Sequence, residues 1–178
     1  SLTNNVPPIH DFFVVKDTVV ASTCTNINIG GLGFFITCNN PLNAITMLRI
    51  PETVNGVNGG VSINRVFAVS NPGAGNNINA QIMLAYDESE LQGINEGNLT
   101  IFRHSDNEPN GVWNIVPSTV NASSNTVTAN SGLSQIDYST SGPGGVTFYT
   151  LGSISAPLKT EETLNNQFIT SKNNVLVY

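Results

Sequence analysis

The chain has 178 residues, a net charge of −6 and only 10% charged residues, well below the ~25% of an average soluble domain. Its six cations are scattered (Lys16, Arg49, Arg65, Arg103, Lys159 and Lys172) and form no basic stripe, which excludes nucleic acid and anionic membrane surfaces as partners. No apolar run approaches the ~20 residues that span a bilayer, while 39% hydrophobic content argues against disorder. The length suits one large β domain, or two small ones, with a real core. No signal peptide is present and Ser1 is not an initiator Met, so the chain reads as a processed product or an expressed fragment.

Strand-like segments recur in chain order at Phe12–Val20, Leu32–Thr37, Ile45–Ile50, Val61–Ser70, Ile78–Tyr86, Leu99–His104, Val112–Val116, Thr126–Ala129 and Val146–Leu151, with a weaker one at Ser134–Tyr138. In the fourth, Val61, Ile63, Arg65, Phe67 and Val69 alternate onto one side, the mark of a strand with one buried and one wet face. Breakers separate the runs: Asn55-Gly56, Asn58-Gly59-Gly60, Asn71-Pro72-Gly73, Asn110-Gly111 and Ser141-Gly142-Pro143-Gly144-Gly145. Gly30-Gly31-Leu32-Gly33 lacks a phosphate-binding Lys and opens a strand-like run, so it reads as a turn. Such density of strands and turns predicts an all-β fold, an antiparallel β-sandwich of immunoglobulin-like or jelly-roll-like kind with Greek-key connections. The only helix-like stretch is Leu158–Asn166.

One sandwich domain is expected over 1–152, with N-terminal strands and a cysteine hairpin over 1–39 and the main module over 40–152. Residues 153–178 read as a linker that ends in a new apolar strand, Val175-Leu176-Val177-Tyr178. The abundance of Asn, Thr, Ser and Gly in place of charge is common in extracellular β proteins. In that oxidising setting Cys24 and Cys38, with thirteen residues between them, are expected to form a disulfide between neighbouring strands. A reactive or metal-binding pair is the alternative; zinc would need further ligands, and His10 and His104 are far away in sequence.

Over Ile63–Gly152 the order of elements resembles a β-sandwich module found near the C-terminus of many secreted and cell-surface proteins of Bacteroidota. The resemblance is carried by Arg65-Val66-Phe67, the strand Ala80–Tyr86, Glu90-Leu91-Gln92-Gly93 with Glu96 and Leu99, a lone Trp113, Asn125-Thr126-Val127-Thr128 and Phe148-Tyr149-Thr150-Leu151-Gly152. Val66 stands where such modules usually have a further aromatic, and nothing before Asn39 has a counterpart. The tail Phe168–Tyr178 resembles the entry into a sorting domain of the type IX secretion system. Together these imply an extracellular or outer-surface protein, handled by the type IX machinery and possessing a structural or adhesive role linked to gliding or surface attachment. Its partners would be other cell-surface proteins or polysaccharide. Asp17-Thr18-Val19 also fits the O-glycosylation acceptor pattern of this phylum.

The densest acidic run is Asp87-Glu88-Ser89-Glu90. Three roles are open to it: a turn whose carboxylates cap backbone amides, a calcium site on Asp87, Glu88 and Glu90, or a pair of glycosidase carboxylates. The turn is preferred, because the spacing matches neither a calcium loop nor a hydrolase motif. Asp106-Asn107-Glu108 is read in the same way, as a hairpin tip. There is no Gly-x-Ser-x-Gly elbow, and His104 reads as a polar strand terminus, so no enzyme activity and no cofactor other than calcium is expected. Trp113 and Tyr86 are candidates for stacking on sugar rings. Trp113 should point to the same side as Ile115, and core packing is its default. The function expected is a non-catalytic extracellular structural or adhesion module; the alternative is a carbohydrate-binding module of a secreted polysaccharide-degrading enzyme.

Overall fold

The computed structural model describes residues 14–54, 61–71, 79–105, 113–136 and 145–153. The tail from Ile154 onward, the Asp106-Asn107-Glu108 loop and the Asn110-Gly111 turn lie outside these. Among the described residues the strands are β1 (Val14–Val20), β2 (Cys24–Asn28), β3 (Phe34–Cys38), β4 (Asn43–Ile50), β5 (Ser62–Ser70), β6 (Gln81–Ala85), β7 (Leu99–Ser105), β8 (Asn114–Val116), β9 (Ser118–Asn121), β10 (Thr126–Ala129) and β11 (Thr147–Ser153). They form the expected all-β sandwich. One sheet has six strands in the order β1-β4-β5-β11-β7-β8, and the other five in the order β2-β3-β6-β10-β9. Every pairing is antiparallel.

The chain passes between sheets repeatedly. At one side β1 of the larger sheet leads into β2 of the smaller; at the other, Pro117 separates β8 from β9 as the chain changes sheet. Pro has no N–H to give to a ladder, so it suits that corner. The two strands that alternation did not reveal are β2 and β9, both edges of the five-stranded sheet, and neither buries a run of apolar residues. The weak strand at Ser134–Tyr138 is replaced, within the described residues, by a single bridge between Ala80 and Leu133.

Between the sheets lies the main core. Phe34 of β3 meets Phe67 of β5 and Tyr149 of β11 edge-to-face, at 5.5 and 5.4 Å between ring centroids. The Tyr149 hydroxyl donates to the Ile136 carbonyl at 2.8 Å, which satisfies its polar end inside the core.

The larger sheet departs from the expected single buried face. Leu48, Ile50, Val66, Ala68, Phe102 and Phe148 point away from the main core, yet none is more than 1% exposed. They form a second apolar cluster joined by Val54, Trp113 and Val146 from flanking loops. The β5 run therefore alternates between two cores, Ile63, Phe67 and Val69 entering one while Val66 and Ala68 enter the other. Period-two patterning cannot distinguish a wet face lined with small apolar residues from a covered one.

Candidate functional site

The acidic turn after β6 is built around an ion pair that crosses the sandwich. Arg65 lies on the inner side of β5, in step with Ile63 and Phe67, and is 1% exposed. Its Nε donates to Glu90 Oε1 at 2.8 Å, its Nη2 lies 2.7 Å from the same oxygen, and its Nη1 donates to the Ala85 carbonyl at 2.8 Å. One side chain of the larger sheet thus holds both the end of β6 and the turn beyond it. Gly33 faces this guanidinium: a Cβ there would lie 3.1 Å from Nη1, and its φ of +91° is strained for any other residue.

Glu90 is 1% exposed and uses both oxygens, Oε1 on Arg65 and Oε2 to accept from the Asp87 N–H at 2.8 Å. Asp87 Oδ1 in turn accepts from the Ser89 N–H at 2.8 Å and the Ser89 hydroxyl at 2.6 Å. This is a reciprocal cap on the short 3-10 turn Glu88–Glu90. Burial pushes the Glu90 carboxyl up, against the pull of Arg65, and the same burial pushes the Arg65 guanidinium down against the pull of Glu90. The hydrogen bonds from Ser89 hold Asp87 below the usual carboxylate range.

This geometry bears directly on the expected calcium ligands. Asp87 and Glu90 are engaged within the turn, Glu88 is exposed, and among the described residues no three His, Cys, Asp or Glu side chains are placed to hold a metal. Tyr86 and Trp113 are each 2% exposed, so neither ring offers a face to a sugar. Tyr86 donates its hydroxyl to Glu96 Oε1 at 2.8 Å; burial, then that bond, drives its phenol well above the ordinary tyrosine range. Trp113 does lie on the side of Ile115, but packs into the outer cluster with its ring centroid 5.8 Å from His104, while Ile115 stays 46% exposed. His104 is no wet strand terminus: it is 2% exposed, with Phe148 stacked at 6.5 Å on it.

Cys24 and Cys38 form the expected disulfide, as directly opposed residues of β2 and β3 with Cα atoms 5.0 Å apart. It ties the edge strand β2 into its sheet.

No protein-family model, curated protein or solved structure matches this chain.

A different surface was missed by sequence reasoning. The outer face of the five-stranded sheet holds a shallow depression of about 250 Å³, lined chiefly by Asn26, Phe35, Thr37, Gln81, Met83 and Thr128. Phe35 is the neighbour of the core residue Phe34 and points the opposite way, half-buried. The Phe34-Phe35 doublet was the available signal, since adjacent strand residues cannot share a face. Among the described residues no helix is long and apolar enough to cross a membrane.

Proposed function

We propose that the chain is a non-catalytic extracellular module, structural or adhesive, of the kind carried near the C-terminus of secreted and cell-surface proteins of Bacteroidota. In this reading it is exported by the type IX machinery, and surface attachment, including that used in gliding, is its setting. The observation that carries the reading is where the motif residues go. Arg65 and Glu90 bond to each other, Tyr86 bonds to Glu96, and Thr150 donates its hydroxyl to the Arg65 carbonyl at 2.6 Å. Asn125 takes a left-handed conformation, φ 51°, to close the turn between β9 and β10. Each of these residues shapes the scaffold, as the parts of a structural module should. A disulfide joining two strands suits an oxidising compartment.

The test is the intact mass of native protein recovered from culture medium, from washed cells and from cytosol, before and after reduction. The expected result is recovery outside the cytosol, with a mass rise on reduction equal to the two hydrogens that one disulfide takes up. Recovery in the cytosol alone, with both thiols already reduced, would overturn the extracellular reading.

A further inference from the structure

The five strands of the smaller sheet contain no charged residue at all, on either face. Every charge carried by a strand among the described residues is on the other sheet: Lys16, Asp17, Arg49, Arg65 and Arg103. The strand register places Asn28, Phe35, Met83, Thr128 and Thr119 in one row across the open outer face, and Thr37 beside Gln81 in the next. The result is an apolar floor, the Phe35 ring and the Met83 thioether, bordered by amides and hydroxyls.

Those polar groups keep bonding capacity. Gln81 spends its Nε2 on the Ala129 carbonyl at 2.9 Å, which leaves Oε1 as an acceptor. The Thr37 hydroxyl oxygen accepts from the Asn26 N–H at 2.9 Å and retains its own proton to donate. A ligand site of this composition, apolar at its centre with a few polar groups at its rim, orients a molecule that is itself apolar on its faces and polar at its edges. A pyranose ring has that form, with C–H groups on its faces and hydroxyls around its edge. A charged ligand would lose hydration here and meet no opposite charge. The chain's net charge of −6 also repels polyanions. A second hollow of about 380 Å³, along Gly97–Thr100 and Ser118–Val120, has no aromatic floor.

We propose that the outer face of the five-stranded sheet, centred on Phe35 and Met83, binds a neutral polysaccharide. This deepens the adhesive reading by naming what the module adheres to. It depends on that reading only for where the polymer is met, since binding is measured on the isolated full chain. A negative result here leaves the extracellular assignment standing, and a cytosolic location leaves binding measurable.

The experiment is native gel electrophoresis of the full chain through gels containing laminarin, hydroxyethylcellulose, galactomannan or xylan, with alginate as the anionic control. Retardation by at least one neutral polymer and none by alginate is expected. Phe35→Ala should weaken it about three- to tenfold, the loss of one stacking contact. Gln81→Glu, at an exposed position, should abolish it by placing a charge on the face. Ile115→Ser, on the opposite side of the molecule, should leave it unchanged. Circular dichroism checks that each variant is folded. Failure of every neutral polymer, equal retardation by alginate, or undiminished retardation of both Phe35→Ala and Gln81→Glu would overturn the proposal. So would a dimer in sedimentation velocity that Phe35→Ala dissolves, because the face would then be an interface between copies of the chain.

Discussion

The two sheets solve the same problem in opposite ways. The six-stranded sheet carries the described strand charges and is apolar on both sides, with Val66, Ala68 and Phe102 as dry as Phe67 and Ile101. The five-stranded sheet has no charge and only one dry side, its outer surface resting on Thr, Asn and Gln. Arg65, drawn into the core from the larger sheet, has its counter-ion in Glu90. On the smaller sheet the open face stays soluble through small neutral polar groups, which keeps it free of fixed charge. Architecture is concentrated in one layer and accessible surface in the other.

The sharpest way to break this comparison is to place the same charge on both outer faces. Val66→Asp buries an unpaired carboxylate at a position 0% exposed, and should cost on the order of 5 kcal/mol, enough to prevent folding. Thr128→Asp, on the open face of the other sheet, should shift stability by only about 0.5 kcal/mol. Urea unfolding of both variants decides it; equal losses would mean that the two outer faces are not different in kind.

The buried pair comes next. Arg65→Met leaves Glu90 without its counter-ion and should cost about 3–5 kcal/mol, whereas the double variant Arg65→Met/Glu90→Leu should recover much of that loss. A double variant as unstable as the two single losses added together would show that the pair is not coupled. Smaller still is the effect at the edge of the five-stranded sheet. Cys24→Ser/Cys38→Ser opens a loop of sequence separation 14 and should lower stability by about 3 kcal/mol, read from the same urea curves. Because the disulfide anchors β2, hydrogen exchange should quicken most in β2 and β3, while amides of β5 and β11 quicken by no more than the global loss of stability.

The smallest effect concerns acid. Asp87 has its folded pKa below its unfolded value, so its stabilisation is complete above about pH 4 and is lost as pH falls through the folded value. Asp87→Asn keeps a competent cap without the charge, and should lower neutral-pH stability only slightly. Subtracting its stability curve from that of the parent between pH 5 and 2 (about the range in which Asp titrates) should show a parent advantage that shrinks toward low pH. An acid profile identical in parent and variant would remove Asp87 from the account. The subtraction is needed because burial shifts Glu90 in the opposite direction.

Much of the fold was legible in the chain itself. Alternation at Val61–Val69, the turn at Gly30-Gly31-Leu32-Gly33 and the wide spacing of apolar runs specify strands, because a pleated backbone sends neighbouring side chains to opposite faces. The disulfide partners followed from there being only two cysteines. The edge strands of the five-stranded sheet were not legible: Cys24–Asn28 and Ser118–Asn121 bury too little to leave an apolar signature, and they exist as strands because a neighbour supplies their ladder bonds. The pairing of Arg65 with Glu90, 25 positions apart, needed two sheets stacked face to face. Whether the far side of β5 is wet or covered, and which of Phe34 and Phe35 looks outward, are likewise settled only when the sheets choose their facing sides. Local pattern determines which residues share a face; only tertiary packing decides what that face meets.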